Sequence, residues 1–375
     1  MNKFNKFLAV ALMGVTVAGC SCSNNECKCP NDTGDENQQE VTLLNGCSTA
    51  FKANTESVVM VKMQRLSNGE VKSTGSGVVF FEEGQSAYII TNAHVLKEWS
   101  TSFEVEVYFS NSKGMLSGKS EIAKVYPSYI NYYEDIAVLE INKSTKYKVA
   151  TIGDSDALEK GAGVCTIGSP LQIFNNTTEG VISNYNYEIA IDMSNSQIST
   201  NVYAILNDAP INNGNSGGGL FDKISGELIG ITTFKYNKIT NKAESLVDQN
   251  TSLTDVFGAL PINHAVKVAK HLISSTQAYT RPNLSLTMLS INKMGTAREG
   301  YGISSSIYTG VYVQNSTEAN IPVQTIITKV NNVTVNSKEE LMVQVLKHKV
   351  GDVVTFTIMN KDGMNEKTVN VTLHA

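Results

Sequence analysis

Residues 212–221 read NNGNSGGGLF. One serine, Ser216, lies among Gly214, Gly217, Gly218 and Gly219. A glycine run loses much backbone freedom on folding and brings no side chains to pack. Two explanations compete. Either the stretch is a flexible polar loop, or Ser216 is a nucleophile whose neighbours must bring main-chain N–H groups close to a reacting group. A serine hydroxyl is a weak nucleophile until a base takes its proton, so the rest of the chain decides.

The best base is a histidine held in one tautomer by a shielded carboxylate. The chain has five histidines, and only His94 precedes Ser216. It ends the strand-like run SAYIITNAHV, where a strand hands over to a loop. Between His94 and Ser216 the aspartates are Asp135, Asp154, Asp156, Asp192 and Asp208. Asp135 heads the apolar run DIAVLEI, and a charge at the head of a buried strand needs a partner. Each residue alone has an ordinary structural explanation: a satisfied histidine after a strand, an aspartate capping a turn. Together His94, Asp135 and Ser216 form a coherent triad. The glycines then have a purpose, since the amides of Gly214 and Ser216 make an oxyanion hole. Gly217 and Gly218 let the following strand pass close to the site.

A rival pattern is present. Residues 214–218 also fit G-x-S-x-G, the nucleophile elbow of α/β-hydrolases, with Asp248 or Asp255 and His264 as partners. The elbow requires a helix directly after the serine. Here the glycines lead into LFDKISGELIGI, which reads strand–turn–strand, and no alternation of strands and helices precedes it.

The 375 residues carry a net charge of −5 and are 41% hydrophobic, which suits one or two globular domains. Weak acidity and the lack of a basic stripe argue against a nucleic-acid partner. The opening stretch MNKFNKFLAVALMGVTVAGC has two lysines, an apolar run and small residues before Cys20. That is an export signal rather than a structural helix. Residues 21–45 are rich in Asn, Asp, Glu and Gln and read as a tether. Of six cysteines, five precede residue 48. Cys22, Cys27, Cys29 and Cys47 are taken as linker cysteines, open to soft-metal binding or disulfide formation. Cys165, in AGVCTIGSP, reads as a small buried apolar residue.

From Ser57 onward, short β-rich runs alternate with Gly, Ser and Asn clusters, the texture of a sandwich or barrel. INHAVKVAKHLISS (262–275) predicts a helix with Ile262, Val266, Ala269 and Ile273 on one face. After TQAYTRPN, a hinge, the last hundred residues mix strands with one helix at 338–347. Ser337 is its N-cap, and Glu340 stands three residues on. This is a small α+β unit of its own.

With these residues in hand, the chain resembles the HtrA (DegP/DegS-type) family of trypsin-fold serine proteases. GSGVVF, ITNAHV, EDIAVLEI, GDSDALEKGAGVCTIGSPL, TEGVIS and NDAPINNGNSGGGLF carry the likeness, in order, from about residue 55. It implies a mainly β, chymotrypsin/trypsin-like double β-barrel, of two six-stranded barrels with the triad between them, followed by a small α+β PDZ-like domain. It also implies cleavage of misfolded envelope proteins by a serine-type endopeptidase, assembly commonly as trimers, and no metal or other cofactor. The small-small-Cys end of the leader resembles a bacterial lipobox. By that likeness Cys20 becomes a diacylated N-terminus anchored in the bilayer on the extracytoplasmic face. The expected layout is a leader at 1–19, a lipidated tether at 20–50, the protease at 51–277 and the PDZ-like unit at 281–375.

Two details depart from the family. Gly219 fills a place often held by Pro or Ala, so the loop is expected to be more mobile at rest. In the carboxylate-gripping loop of the PDZ-like unit, Leu284, Ser285 and Leu286 put a serine where glycine is usual. That loop would take peptide C-termini. Pro210 stands six residues before the serine, where cleavage after Lys or Arg would need a carboxylate. The chain is therefore expected to cut after small or medium aliphatic residues. Phe234 and Tyr236, in ITTFKYN, are either pocket wall or barrel core. A different class of function stays open: a binding or chaperone protein that keeps the protease fold with its loops inactive.

Overall fold

The computed structural model describes residues 46–169, 173–193, 198–237, 242–244 and 256–375, with a short pairing of Ser21–Ser23 and Glu26–Lys28. That pairing is antiparallel, sets Cys22 opposite Cys27 and belongs to a unit of its own, Met1–Leu43. The leader and Cys20 lie outside the described residues. Among the described residues no helix is long and apolar enough to cross a membrane.

The second unit, Leu44–Ala375, opens with helix α1 (Ser48–Asn54). The fold thus starts before residue 51, the boundary read from the sequence. Seven strands then form the first barrel: β1 (Val58–Arg65), β2 (Val71–Glu83), β3 (Ser86–Thr91), β4 (Phe103–Ser110), β5 (Leu116–Ala123), β6 (Ile130–Asn131) and β7 (Ile136–Asn142). Their order is β5-β4-β1-β2-β3-β7-β6, and a bridge between Lys124 and Glu140 closes the ring.

Strand side chains alternate between faces, and here both faces are buried. Val59, Val61, Val79, Ile89, Ala137 and Leu139 fill the first barrel. Their neighbours Val58, Val78, Ile90, Ile136 and Val138 face a second cluster shared with the other barrel. Burial on both faces is why these strands read as near-continuous apolar runs rather than as alternating ones.

The second barrel takes β8 (Gly163–Gly168), β9 (Asn176–Met193), β10 (Ile198–Asn207), β11 (Gly219–Asp222), β12 (Leu228–Asn237), β13 (Lys242–Glu244) and β14 (Phe257–Pro261). The order is β8-β11-β12-β13-β9-β10-β14, closed by pairings of β8 with β9 and β12 with β14. Each sheet therefore has seven strands where six were expected. The additions are short pieces, β6 of two residues and β13 of three.

Helix α2 (Ile262–Ser274) follows, close to its predicted span. Its buried stripe is Ile262, Ala265, Val268, Ala269 and Leu272. Val266 and Ile273 are only half-buried at its edge, because the helix meets the shared cluster roughly a fifth of a turn from the expected face.

The C-terminal sheet runs β15 (Leu286–Ser290), β16 (Val311–Ser316), β17 (Thr325–Val330), β19 (Val353–Asn360) and β20 (Lys367–Thr372), with β18 (Val333–Thr334) paired to β17. Helix α3 (Lys338–Leu346) has Ser337 as N-cap, accepting from the Glu340 amide at 3.3 Å. The Glu340 carboxylate reaches one residue further back than a capping box requires, to the amide of Asn336 at 2.8 Å. Tyr203 of β10 is buried in the core cluster of this unit.

Cys165 is fully buried but is not a free thiol. It forms a disulfide with Cys47, 118 residues earlier. Composition had hidden the pairing because Cys47 sits at the end of a polar, Cys-rich segment, and only the fold brings it to β8.

Candidate active site

His94 lies in a single 3₁₀ turn, Ala93–Leu96, directly after β3. Asp135 sits in the turn entering β7. Its carboxylate accepts the His94 amide at 3.0 Å and faces ring Nδ1 at 2.9 and 3.1 Å. An ionised carboxylate only accepts, so Nδ1 carries the proton and Nε2 is left as an acceptor. Asp135 is fully buried, whereas the His94 side chain keeps 24% of its surface exposed. One group is shielded and the other is open to a reactant. The φ of Asp135 is +52°, a left-handed conformation that non-glycine residues rarely hold.

Asn92, fully buried, ties the two barrels together here. Its amide donates to the Asp135 carbonyl and to Thr233 Oγ1, both at 3.0 Å. The Ser216 hydroxyl donates to the Thr233 carbonyl at 3.3 Å. Among the described residues no hydrogen bond joins it to His94. The structure thus brings His94 and Asp135 into direct contact and joins Ser216 to them through Thr233 and Asn92. Sequence reasoning passed over Asn92 and Thr233, although TNAHV placed the first of them two residues before the histidine.

The loop around Ser216 is stitched to the first barrel by Ser76 of β2. The Ser76 amide donates to the Ser216 carbonyl at 2.8 Å. Its hydroxyl donates to the Gly214 carbonyl at 2.7 Å and accepts from the Ser169 amide at 2.8 Å. Thr91 Oγ1 donates to the Ser76 carbonyl at 2.7 Å. Thr232 Oγ1 holds the Asn215 carbonyl at 2.8 Å from the other side. Among the described residues, neither the Gly214 nor the Ser216 amide has a backbone acceptor.

The glycines are explained by space. Gly217 has φ +84°, and a Cβ there would collide with the Ser76 carbonyl and Thr91 Oγ1. A Cβ on Gly219 would run into the ring of Phe221. Gly219 is buried and paired with Ile167 and Ile231 as the first residue of β11. The expected mobile third glycine is thus a packed strand residue. A strand, not a helix, follows the serine, which removes the nucleophile elbow. His264 pairs with Glu134 (2.8 Å), and Asp248 and Asp255 lie outside the described residues.

Pro210 is exposed, and its carbonyl accepts from Thr178 Oγ1 at 2.7 Å. Phe234 is 2% exposed and belongs to the shared core, its ring filling the space beside Gly258. It is barrel core rather than pocket wall. Tyr236 shares β12 and pairs with Ala243; its side chain lies outside the described residues.

In the C-terminal unit, the three amides proposed to hold a peptide carboxylate are already engaged. Leu284 N–H donates to Asn283 Oδ1 at 2.8 Å, Ser285 N–H to Glu318 Oε1 at 2.9 Å, and Leu286 N–H to the Leu284 carbonyl at 2.8 Å. Leu284 itself is buried in the core of the unit. Among the described residues no cluster of His, Cys, Asp and Glu is arranged to hold a metal ion.

Comparison with known proteins agrees with this architecture. Residues 75–231 match the trypsin-like peptidase domain family, and residues 292–373 match the PDZ domain family. The serine protease Do-like HtrA of Lactococcus lactis subsp. cremoris is 33% identical over 313 residues, spanning 81% of this chain and 71% of that protein. The serine protease Do-like HtrB of Bacillus subtilis is 32% identical over 310 residues, 80% of this chain and 61% of that protein. Among solved structures, the HtrA-type protease AlgW with tripeptide superposes with a TM-score of 0.58 at 23% identity, covering 87% of this chain and 95% of that one.

Proposed function

This chain belongs to the HtrA family and is a serine endopeptidase, and from that premise we propose that Ser216, His94 and Asp135 are its catalytic triad. The observation that carries the assignment is the buried Asp135 carboxylate, 2.9 Å from His94 Nδ1. It fixes the tautomer in which Nε2 accepts a proton. For catalysis the Ser216 hydroxyl turns from the Thr233 carbonyl to His94 Nε2. Its oxygen attacks the scissile carbonyl carbon as Nε2 takes the proton. The amides of Gly214 and Ser216 stabilise the oxyanion, an interaction worth ~10²–10³ in rate per donor. His94 then protonates the leaving amine as the C–N bond breaks. Water repeats the sequence on the acyl-enzyme to free the carboxylate and restore Ser216.

We further propose that the enzyme works outside the cytoplasm, anchored to the membrane by acylated Cys20, on unfolded or misfolded envelope proteins. The leader sequence supports export, and the Cys47–Cys165 disulfide fits an oxidising compartment. The absence of a carboxylate at Pro210 supports cleavage after small or medium aliphatic residues. The Thr233-directed hydroxyl favours an enzyme that rests and is switched on by its substrate.

A serine-directed phosphonate probe tests the triad. It should label Ser216 in the full chain, as located by mass spectrometry, and spare Ser216→Ala. Labelling at another serine would sink the assignment. A peptide library cleaved chiefly after Lys or Arg would remove the specificity proposal.

A further inference from the structure

Glu134 directly precedes Asp135 and is 2% exposed. A carboxylate at that depth needs partners, and it has two, making three contacts. Oε2 lies 2.8 Å from His264 Nε2 and 2.6 Å from Arg281 Nη2, and Oε1 accepts from Arg281 Nε at 2.9 Å. The Glu134 amide donates to Asn131 Oδ1 at 2.9 Å. Burial alone would raise the carboxyl's pKa, but His264 and Arg281 bring it down to about 2.

The partners come from distant parts of the chain. His264 is in the first turn of α2. Arg281 lies in the connection between α2 and β15, and its remaining arm donates to the Asn201 carbonyl of β10 at 2.6 Å. Tyr279 of the same connection stands edge-on to His264, with ring centres 6.4 Å apart. Glu134, His264 and Arg281 border a cavity of about 300 Å³ together with Tyr203, Val343 and Leu346, the last two from α3. The ion pair therefore joins the first barrel, the second barrel and the path into the C-terminal unit.

Asp135 gains from this arrangement. A left-handed backbone at a non-glycine residue persists where its surroundings hold it. Asn92 holds its carbonyl. The forked pair of Arg281 with Glu134 holds the preceding residue.

We propose that Glu134 is a positioning residue: its two-pronged pair with Arg281 keeps the turn in the shape that presents Asp135 to His94, so that the connection to the C-terminal unit bears on the triad. This rests on the triad assignment above. An arginine withdrawn with the connection releases Glu134, relaxes the turn and loosens the carboxylate behind His94.

The test compares the full chain with Glu134→Gln, Arg281→Lys and the double variant. It reads kcat, KM, the rate of phosphonate labelling at Ser216, thermal stability and the low-field proton resonance of His94 Nδ1–H. Glu134→Gln should lower kcat and labelling by roughly ten- to a hundredfold, the scale of a misplacement near 1 Å, with KM changed less than about twofold. The low-field resonance should shift or broaden. Arg281→Lys keeps the charge but loses the fork and should fall between. The double variant should match Glu134→Gln, because both act through one contact. If the variants lose stability but keep the wild-type labelling rate and resonance, the pair is only a structural tie and the proposal fails. Should Glu134→Gln not fold, Arg281→Lys with wild-type kcat and resonance overturns it equally. A wild-type chain that the probe does not label at Ser216 overturns the triad itself, a distinct result.

Discussion

The main-chain oxygen of Ser216 accepts a hydrogen bond from the amide of Ser76, 2.8 Å away on the other barrel. The proposed nucleophile is therefore not held by its own loop alone. The same Ser76 carries the Gly214 carbonyl on its hydroxyl, so one residue holds the peptide before Asn215 through its side chain and the peptide after Ser216 through its main chain.

Ser76→Ala should show this. It removes the donor to Gly214 and the acceptor of the Ser169 amide, both buried. A buried group left unsatisfied costs about 1–3 kcal/mol. Denaturant unfolding should report that loss. The rate of Ser216 labelling should fall by more than stability alone explains. An unchanged labelling rate would mean the loop keeps its shape without Ser76.

The Cys47–Cys165 bond should matter most to stability. It closes a loop of 118 residues and fastens the start of α1 to β8. Chain entropy puts such a link at roughly 5 kcal/mol. Cys47→Ser with Cys165→Ser, or a strong reductant, should lower the unfolding midpoint markedly. Among the described residues neither cysteine is hydrogen-bonded to a triad residue, so labelling of the chain that remains folded should continue.

Acid should expose the Glu134 cluster. Its folded pKa of about 2 lies below the ordinary 4.5. A carboxyl depressed in this way stabilises the fold above its unfolded pKa, and the contribution fades as pH falls from 4.5 toward 2. The full effect is on the order of 3 kcal/mol. Wild type should therefore lose stability across that window more steeply than Glu134→Gln. Parallel curves would mean that the pair holds no excess charge stabilisation.

The C-terminal unit should be a poor receptor for peptide carboxylates as it stands. Glu318 occupies the Ser285 amide at 2.9 Å, and His374 lies 3.3 Å from its other oxygen. Glu318→Ala should free that amide and raise affinity for a free C-terminus about ten- to a hundredfold, the worth of one charge-assisted hydrogen bond. Fluorescence anisotropy with acid and amidated forms of one peptide would measure it. Equal weak binding of both forms to both proteins would rule out the loop as a carboxylate site.

The proposed triad could be read from residue types in order. A lone histidine after an apolar strand, an aspartate heading another and a serine among glycines have few joint explanations. The strands were equally plain, since burial on both faces leaves unbroken apolar runs such as DIAVLEI. Helix α2 showed its span but not its buried face, because Val266 and Ile273 are as apolar as the residues that replaced them. Phe234 shows the same limit: an aromatic on a strand carries no mark of which face meets solvent.

By itself, the order of residues marked a β-rich sandwich or barrel, the three groups proposed as the triad and the need for glycine after Ser216, all matters of composition and short spacing. The Cys47 bond, the Ser76 stitch, the Glu134–His264–Arg281 cluster and the occupied Ser285 amide were decided by tertiary structure alone. Each joins groups from 33 to 147 positions apart, and contact across such distances depends on how closed sheets meet, which no local pattern encodes.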